Sequence, residues 1–174
     1  WSQQAKLRAK DASPYAYFGQ SLALEGTTAV IGASGDDKEA GSAYIFSRDG
    51  SLWNQQTKLK ANDRAAGDYF GASVALSGDT VLVGAKADDT SAVEDAGSIY
   101  FYKRSGKVWS QEAKLTADDA TEYEWFGTTV ALSGNTALVG AKYDSKVNPV
   151  TGDLARAQGS VYMYRVTPPG PEIT

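Results

Sequence analysis

The stretch that decides the fold spans residues 70–85 and reads Phe-Gly-Ala-Ser-Val-Ala-Leu-Ser-Gly-Asp-Thr-Val-Leu-Val-Gly-Ala. Two short apolar runs, 74–76 and 81–83, flank the tetrapeptide Ser-Gly-Asp-Thr at 77–80. Glycine and aspartate accept the positive φ of a tight turn, so the stretch predicts a β-hairpin. Because run 81–83 is apolar throughout, we expect its strand to be covered on both faces by similar sheets.

The same stretch occurs three times, since its Phe-Gly start recurs at 18–19 and 126–127, at intervals of 52 and 56 residues. Three further motifs recur in the same order. They are Trp-x-Gln-x-x-Lys-Leu at 1–7, 53–59 and 109–115, Gly-Ala at 32–33, 84–85 and 140–141, and Gly-Ser-x-Tyr at 41–44, 97–100 and 159–162. The chain therefore contains three copies of one structural unit.

Each copy holds four strand-like runs separated by Gly, Asp, Asn and Ser, which favour turns. We call them A (22–24, 74–76, 130–132), B (28–33, 80–85, 136–141), C (42–46, 98–102, 160–164) and D (the three Trp-to-Leu segments). The D runs carry Gln and Lys and suit an outermost, half-solvated strand. The pattern predicts an all-β protein, a β-propeller made of four-stranded antiparallel blades with three blade repeats per chain.

The predicted domain organisation follows the order D-ABC-D-ABC-D-ABC. Residues 9–60, 61–116 and 117–166 form blade repeats 1, 2 and 3, and the third lacks its outer strand. Residues 1–8 are predicted to be an outer strand that completes a blade of another copy, and residues 167–174 form a Pro-rich tail or linker.

Closed propellers need about four to eight blades, so three repeats leave a ring open. Unpaired strand edges favour aggregation unless another strand covers them. Two chains that exchange their D strands would form a six-bladed homodimer with twofold symmetry. The alternative is that the remaining blades belong to a longer propeller sequence.

The pattern at 70–85, followed by an acidic loop and Gly-Ser-Ile-Tyr at 97–100, resembles the FG-GAP repeat of bacterial secreted proteins. That repeat is similar to the blades of the integrin α-subunit propeller, and the likeness covers residues 1–166. It implies an extracellular or cell-surface propeller used for recognition or adhesion within a larger protein. Integrin-type blades carry an Asp-x-Asp-x-Asp-Gly calcium loop between strands A and B. The turn at 77–80 is too short to supply the six to eight oxygen ligands of calcium, so Ca²⁺ stays a candidate cofactor without that loop.

Composition excludes several function classes. The chain has no cysteine and no histidine, which removes disulfides, zinc-thiolate sites and Ser-His-Asp or Cys-His catalysis. We therefore predict that it is not an enzyme. Its formal charge of −4 disfavours nucleic acid, and its apolar runs are far shorter than the ~20 residues of a membrane span.

The loops of one propeller face concentrate the acidic residues. Because strands alternate in direction, loops D–A (9–19, 61–71, 117–127) and B–C (34–41, 86–97, 142–159) emerge together, and we call this surface the loop face. It carries sixteen of the 21 acidic residues but seven of the 17 basic ones. The negative electrostatic potential of such a surface attracts cations or basic partners. The predicted ligand-binding residues are Asp36, Asp37, Asp88, Asp89, Glu94, Asp95, Asp144, Tyr15, Tyr69, Tyr123 and Trp125, and the predicted metal-binding residues are Asp36, Asp37, Asp88, Asp89 and Asp144.

Three functions fit these features. The first is recognition or adhesion through the acidic loop face, with a protein or glycan ligand. The second is a structural assembly module whose main contact is the blade-completing strand. The third is a lectin-like propeller whose loop aromatics stack on sugars. The acidic residues also have a structural explanation, because Asp recurs in loops where it binds local backbone and keeps a surface solvated.

Overall fold

Strands make up the regular secondary structure of the protein, which is described here from a computed structural model covering residues 1–90, 93–147, 154–155 and 157–166. Within these ranges no helix has the length and apolarity to cross a membrane. The strands are β1 (Leu22–Glu25), β2 (Thr28–Ala33), β3 (Ser42–Asp49), β4 (Leu52–Leu59), β5 (Phe70–Ser77), β6 (Thr80–Ala85), β7 (Ser98–Ser105), β8 (Val108–Leu115), β9 (Phe126–Ser133), β10 (Thr136–Ala141), β11 (Lys146–Val147), β12 (Leu154–Ala155) and β13 (Ser160–Arg165).

These strands form three successive antiparallel sheets. The first has the order β1-β2-β3-β4, the second β5-β6-β7-β8, and the third β9-β10-β13. A two-stranded hairpin, β11-β12, interrupts the third unit and was not predicted. The all-β class and the three repeated antiparallel sheets are confirmed, and the open sheets fit a partial propeller.

The B strands agree with the prediction residue for residue. The C strands begin where predicted but extend one to three residues further, and strand A, the inner strand, begins earlier than predicted in the second and third sheets. β5 and β9 start at the Phe-Gly motif, four residues before the predicted run A. Phe70 pairs with Ala85 and a register shift then follows before Ser73 pairs with Gly84. The motif is therefore a bulged beginning of the strand, which local alternation of apolar residues does not reveal.

Residues at the two ends of the chain stand apart from the sheets. Residues 1–8 belong to no strand of the chain, and Trp1 is fully exposed. Their predicted role in completing a blade of another copy stays a prediction. The predicted tail at 167–174 lies outside the described residues.

Apolar side chains form the cores between neighbouring sheets. Strand β2 is buried along its whole length, and β6 is buried from Val81 onward. Phe70 meets Tyr100 edge to face at 5.3 Å between ring centroids, and Phe126 meets Tyr162 in the same way at 5.3 Å. The Phe-Gly phenylalanines thus fill the same space in successive blades, as aromatic side chains at fixed repeat positions commonly do.

Close backbone contact between blades explains the glycine of the Gly-Ala motif. A Cβ on Gly84 would overlap the carbonyl oxygen of Gly127, the glycine of the next Phe-Gly. The hydroxyl of Ser73 donates a hydrogen bond of 2.7 Å to that same carbonyl. Gly32 and Gly84 are therefore required at this position because the inner strand of the following blade lies directly against each of them.

Candidate functional site

Hydrogen bonds between loops of adjacent blades build the loop face. The backbone N–H of Tyr69 donates to the carbonyl of Glu39 at 2.7 Å, and that of Phe126 donates to the carbonyl of Ala96 at 2.9 Å. The D–A loops of the second and third blades are thereby fixed to the B–C loop of the preceding blade. Side chains from two blades meet along these seams.

Three of the predicted acidic residues are buried at equivalent positions, one in each blade. They are Asp36, Asp88 and Asp144. Oδ2 of Asp36 accepts a hydrogen bond of 2.6 Å from the hydroxyl of Ser42, and Ser160 donates to Asp144 in the same way. Asp36 and Asp144 therefore fix their loops to strand C.

Lysines of the outer strands bind the buried carboxylates in the first two blades. Lys58 Nζ lies 2.7 Å from Asp36 and 2.6 Å from Asp11, and Lys114 Nζ lies 2.6 Å from Asp88 and 2.7 Å from Asp63. Each lysine bridges a D–A loop and a B–C loop. The arrangement explains Asp36 and Asp88 as parts of the scaffold.

The pKa shifts of Lys58 and Asp36 agree with an ion pair between the two side chains. Burial lowers the pKa of the Lys58 ammonium, but hydrogen bonds to Asp11 and Asp36 outweigh it and leave the pKa raised. Burial likewise works against ionisation of Asp36, yet Lys58 and Ser42 hold its pKa below the usual range. Both partners therefore stay ionised at neutral pH.

The other four predicted acidic residues lie at the surface of the loop face. Asp37, Asp89 and Glu94 are exposed, and Asp95 is half-buried. Asp37 forms an ion pair with Arg64 of the next blade, and Asp89 Oδ1 accepts a hydrogen bond of 2.8 Å from the backbone N–H of Asp95. Burial, together with the charges of Asp89 and Glu94, raises the pKa of Asp95. A partner can reach these four carboxylates from solvent.

Aromatic residues line the same face in a row that we call the aromatic arc. It consists of Tyr17, Tyr69 and Trp125, each directly before a Phe-Gly motif, with φ of 54°, 56° and 59°. Lys86 Nζ lies 4.8 Å from the ring centroid of Tyr69 and 4.5 Å from that of Trp125, and so joins the second and third blades through cation–π contacts. Tyr143 packs edge to face on Trp125 at 4.7 Å.

Two further tyrosines flank the aromatic arc. Tyr15 and Tyr123 lie two residues before Tyr17 and Trp125, and are 81% and 49% exposed. A hydrogen bond to Glu94 of the preceding blade is the main cause that raises the pKa of Tyr123. Burial and then Glu39 raise the pKa of Tyr69 in the corresponding way. Loop aromatics and loop glutamates are therefore paired across the seams.

The structure brings Tyr69 and Trp125 together through Lys86, and Tyr123 together with Glu94 and Asp95 across the seam between blades 2 and 3. Tyr15 lies in the first blade, where its carbonyl touches Gly35. The sequence analysis missed Tyr17, Lys86 and Tyr143. Alignment of the three copies would have found Tyr17, because it occupies the position of Tyr69 and Trp125.

A metal role for the acidic residues stays a prediction. Within the part of the chain that the structure describes, no three or more Asp, Glu, His or Cys residues are grouped so that they could hold a metal ion. The A–B connection of the second blade is a two-residue turn, with Ser77 paired to Thr80.

The chain matches a known protein family along most of its length. A family model described as FG-GAP repeat matches residues 1–46, 53–102 and 109–164. Each matched stretch starts with a Trp-to-Leu segment and ends in strand C, so the second and third repeats each contribute to two sheets. The outer strand of each complete sheet is the first segment of the next repeat.

Proposed function

The chain belongs to the FG-GAP repeat family, and on that basis we propose that it is a recognition module that binds a basic protein segment through the loop face. Propellers of this family are generally not enzymes and are typically extracellular. We accordingly propose a non-enzymatic role outside the cell or at its surface, in recognition or adhesion.

The observation that carries the proposal is the alternation of exposed carboxylates and aromatic rings at the seam between the second and third blades. Glu94 and Asp95 lie beside Tyr123, and the rings of Tyr69 and Trp125 already hold the ammonium of Lys86 between them. Arginine and lysine side chains bind both to carboxylates and to aromatic faces. A basic segment laid across this seam would therefore meet both kinds of contact.

The acidic residues of the loop face fall into a buried, lysine-bound group and an accessible group, and this difference supports the same function. Asp36 and Asp88 are bound to lysines within the scaffold, so the negative charge available to a partner comes from residues such as Asp89, Glu94 and Asp95. Opposite charge on a partner speeds association and fixes its orientation.

A titration with an Arg-rich peptide, followed by isothermal titration calorimetry, tests the proposal. We expect the triple variant D89N/E94Q/D95N to bind at least tenfold more weakly than the wild type. The control is D49N/D79N, which removes charge from the opposite face. Equal binding by the wild type and the triple variant would contradict the proposal.

Exposure of Tyr15 and Tyr123 favours a glycan ligand as the second candidate, because sugars stack on exposed aromatic rings. A glycan array separates the two candidates. If the ligand is a sugar, Y15A/Y123A should abolish array binding, whereas D89N/E94Q/D95N should leave it unchanged. If the ligand is a basic protein segment, no sugar should be retained.

A further inference from the structure

In both four-stranded sheets, a tyrosine of strand C and a lysine of the outer strand D contact each other in the same way. Tyr44 is paired with Lys58, and Tyr100 with Lys114, in the registers of β3-β4 and β7-β8. Each ammonium lies near the ring of its tyrosine, at 5.1 Å and 5.4 Å from the centroids, and between two aspartates. The outer strand therefore contributes a charge as well as backbone hydrogen bonds.

The third sheet contains the counterparts of the residues that surround Lys58 and Lys114. Tyr162, Asp119 and Asp144 occupy the positions of Tyr100, Asp63 and Asp88. The hydroxyl of Tyr162 donates to Asp119 at 2.9 Å and to Glu124 at 3.0 Å. Glu124 and Asp144 are both buried, and burial together with the neighbouring Asp144 and Asp119 raises the pKa of Glu124. A positive charge placed here would be stabilised by three carboxylates.

Among the described residues β13 is the edge strand of the third sheet, whereas β4 and β8 cover the corresponding edges of the first two sheets. The Trp-to-Leu segment at 1–7 carries the required residues at the required spacing. Gln3 and Lys6 correspond to the pair Gln111 and Lys114 of β8. In the chain itself residues 1–8 belong to no strand.

A glutamine gives the outer strand a second fixed point. Gln55 Oε1 accepts a hydrogen bond of 2.9 Å from the backbone N–H of Lys10, and Gln111 Oε1 accepts one of 3.0 Å from that of Asn62. The third position of this series is the N–H of Asp118. A strand in the register of β8 would bring Gln3 to this N–H and Lys6 to Asp119.

Apolar side chains left exposed on the two outer sheets point to the same partner. Val161 and Met163 of β13 are 70% and 73% exposed, whereas their counterparts in β7 are buried. On the first sheet, Leu22 and Leu24 are exposed, although their counterparts Val74 and Leu76 are buried and half-buried against a preceding blade. The last sheet of one copy and the first sheet of another thus offer two apolar surfaces that correspond to the buried seams within the chain.

We propose that residues 1–8 of a second copy pair with β13 and insert Lys6 between Asp119 and Asp144. The two copies then join head to tail, and two such junctions close a six-bladed ring. The register places Lys6 opposite Tyr162, Ala5 opposite Met163 and Gln3 opposite Tyr164. This assembly does not depend on which ligand the loop face binds.

Light scattering of the full chain gives the first test. We expect a mass of twice the 18.4 kDa of one chain for the wild type, and a single-chain mass for Lys6→Glu. Lys107→Glu, in the exposed β7-β8 turn, is the matched control and should keep the dimer. Because residues 1–8 belong to no strand of their own copy, Lys6→Glu should leave the fold of the chain intact. A wild type that stays monomeric at all concentrations overturns the proposal.

A cysteine cross-link tests the register, since the chain contains no cysteine of its own. Directly opposed residues of antiparallel strands lie at Cα distances that a disulfide can span. The double variant A5C/M163C should therefore form a covalent dimer under mild oxidation, and the shifted pair A5C/V161C should form far less. Equal cross-linking of the two pairs, or a disulfide formed within a single chain, would overturn the proposed register.

Discussion

At the scale of single residues, neighbouring carboxylates have opposite roles. Asp36 is buried and bound to Lys58, whereas Asp37, the next residue, is exposed on the loop face. In the second blade Asp88 and Asp89 divide in the same way. The acidic loops therefore supply a scaffold and a surface from one run of sequence.

Replacement of Lys114, which binds the buried Asp88, should destabilise the fold. We expect Lys114→Met to lower the free energy of unfolding by about 3 kcal/mol, because Asp88 would keep a buried charge that has lost its partner. Urea unfolding measures the change. The control, Asp79→Asn, removes an exposed partner of Arg104 and should cost less than about 1 kcal/mol. If the two variants lost equal free energy of unfolding, the buried pair Lys114–Asp88 would stabilise the fold no more than the exposed pair Arg104–Asp79.

Asp68 should give stability a measurable dependence on pH. Burial raises its pKa from 3.8 to about 6, with Asp88 and Asp89 adding to the effect against Lys114. A raised pKa means that the folded chain binds this proton more tightly than the unfolded chain, so its stabilisation is complete below pH 4 and is lost as the pH rises through about 6.

Asp68→Asn should remove this loss, because the amide stays neutral and its oxygen can still accept the hydrogen bond from the N–H of Ala65. We expect the variant to gain about 2 kcal/mol over the wild type between pH 4 and pH 7 in urea unfolding. Other carboxylates titrate in both proteins and cancel in the difference. A difference that is constant with pH would mean that Asp68 ionises normally.

At the scale of elements, the Phe-Gly and Gly-Ala motifs are two sides of one contact. The inner strands of the second and third blades begin at Phe-Gly and lie against the glycine of strand B in the blade before them. A serine hydroxyl holds the two together, as Ser73 does on the carbonyl of Gly127. The motifs recur because the contact recurs at each seam.

Gly84→Ala should weaken the seam between the second and third blades. The new methyl group would overlap the carbonyl of Gly127, and we expect a loss of about 3 kcal/mol in thermal or urea unfolding. Gly106→Ala is the control, because Gly106 has a positive φ of 61° but no neighbouring atom within 4 Å. It should cost about 1 kcal/mol. The contact would be unimportant if the two variants were equally stable.

At the scale of the whole molecule, charge separates the proposed recognition surface from the proposed assembly surfaces. The loop face holds most of the acidic residues, whereas the exposed side chains of the outer sheets include apolar Leu22 and Val161. The proposed contacts of these surfaces depend differently on ionic strength, since salt screens exposed charges far more than buried ones.

A salt series should therefore distinguish the two proposals. Between 0.05 and 0.5 M NaCl we expect the affinity for an Arg-rich peptide to fall by about tenfold or more, because that contact depends on exposed charges. The mass from light scattering should stay that of a dimer, because the proposed junction combines apolar burial with a buried ion pair. Dissociation of the dimer in parallel with the peptide would contradict this division.

The sequence by itself determined the repeat, the all-β class and the limits of the B strands, because turn residues and runs of apolar side chains act over a few neighbouring positions. It also placed Tyr69, Tyr123 and Trp125 among the loops. Tertiary structure alone decided that Asp36 is buried while Asp37 is exposed, and that Lys86 lies between two rings. These contacts join residues from different strands or blades, so they exist only after the sheets have stacked.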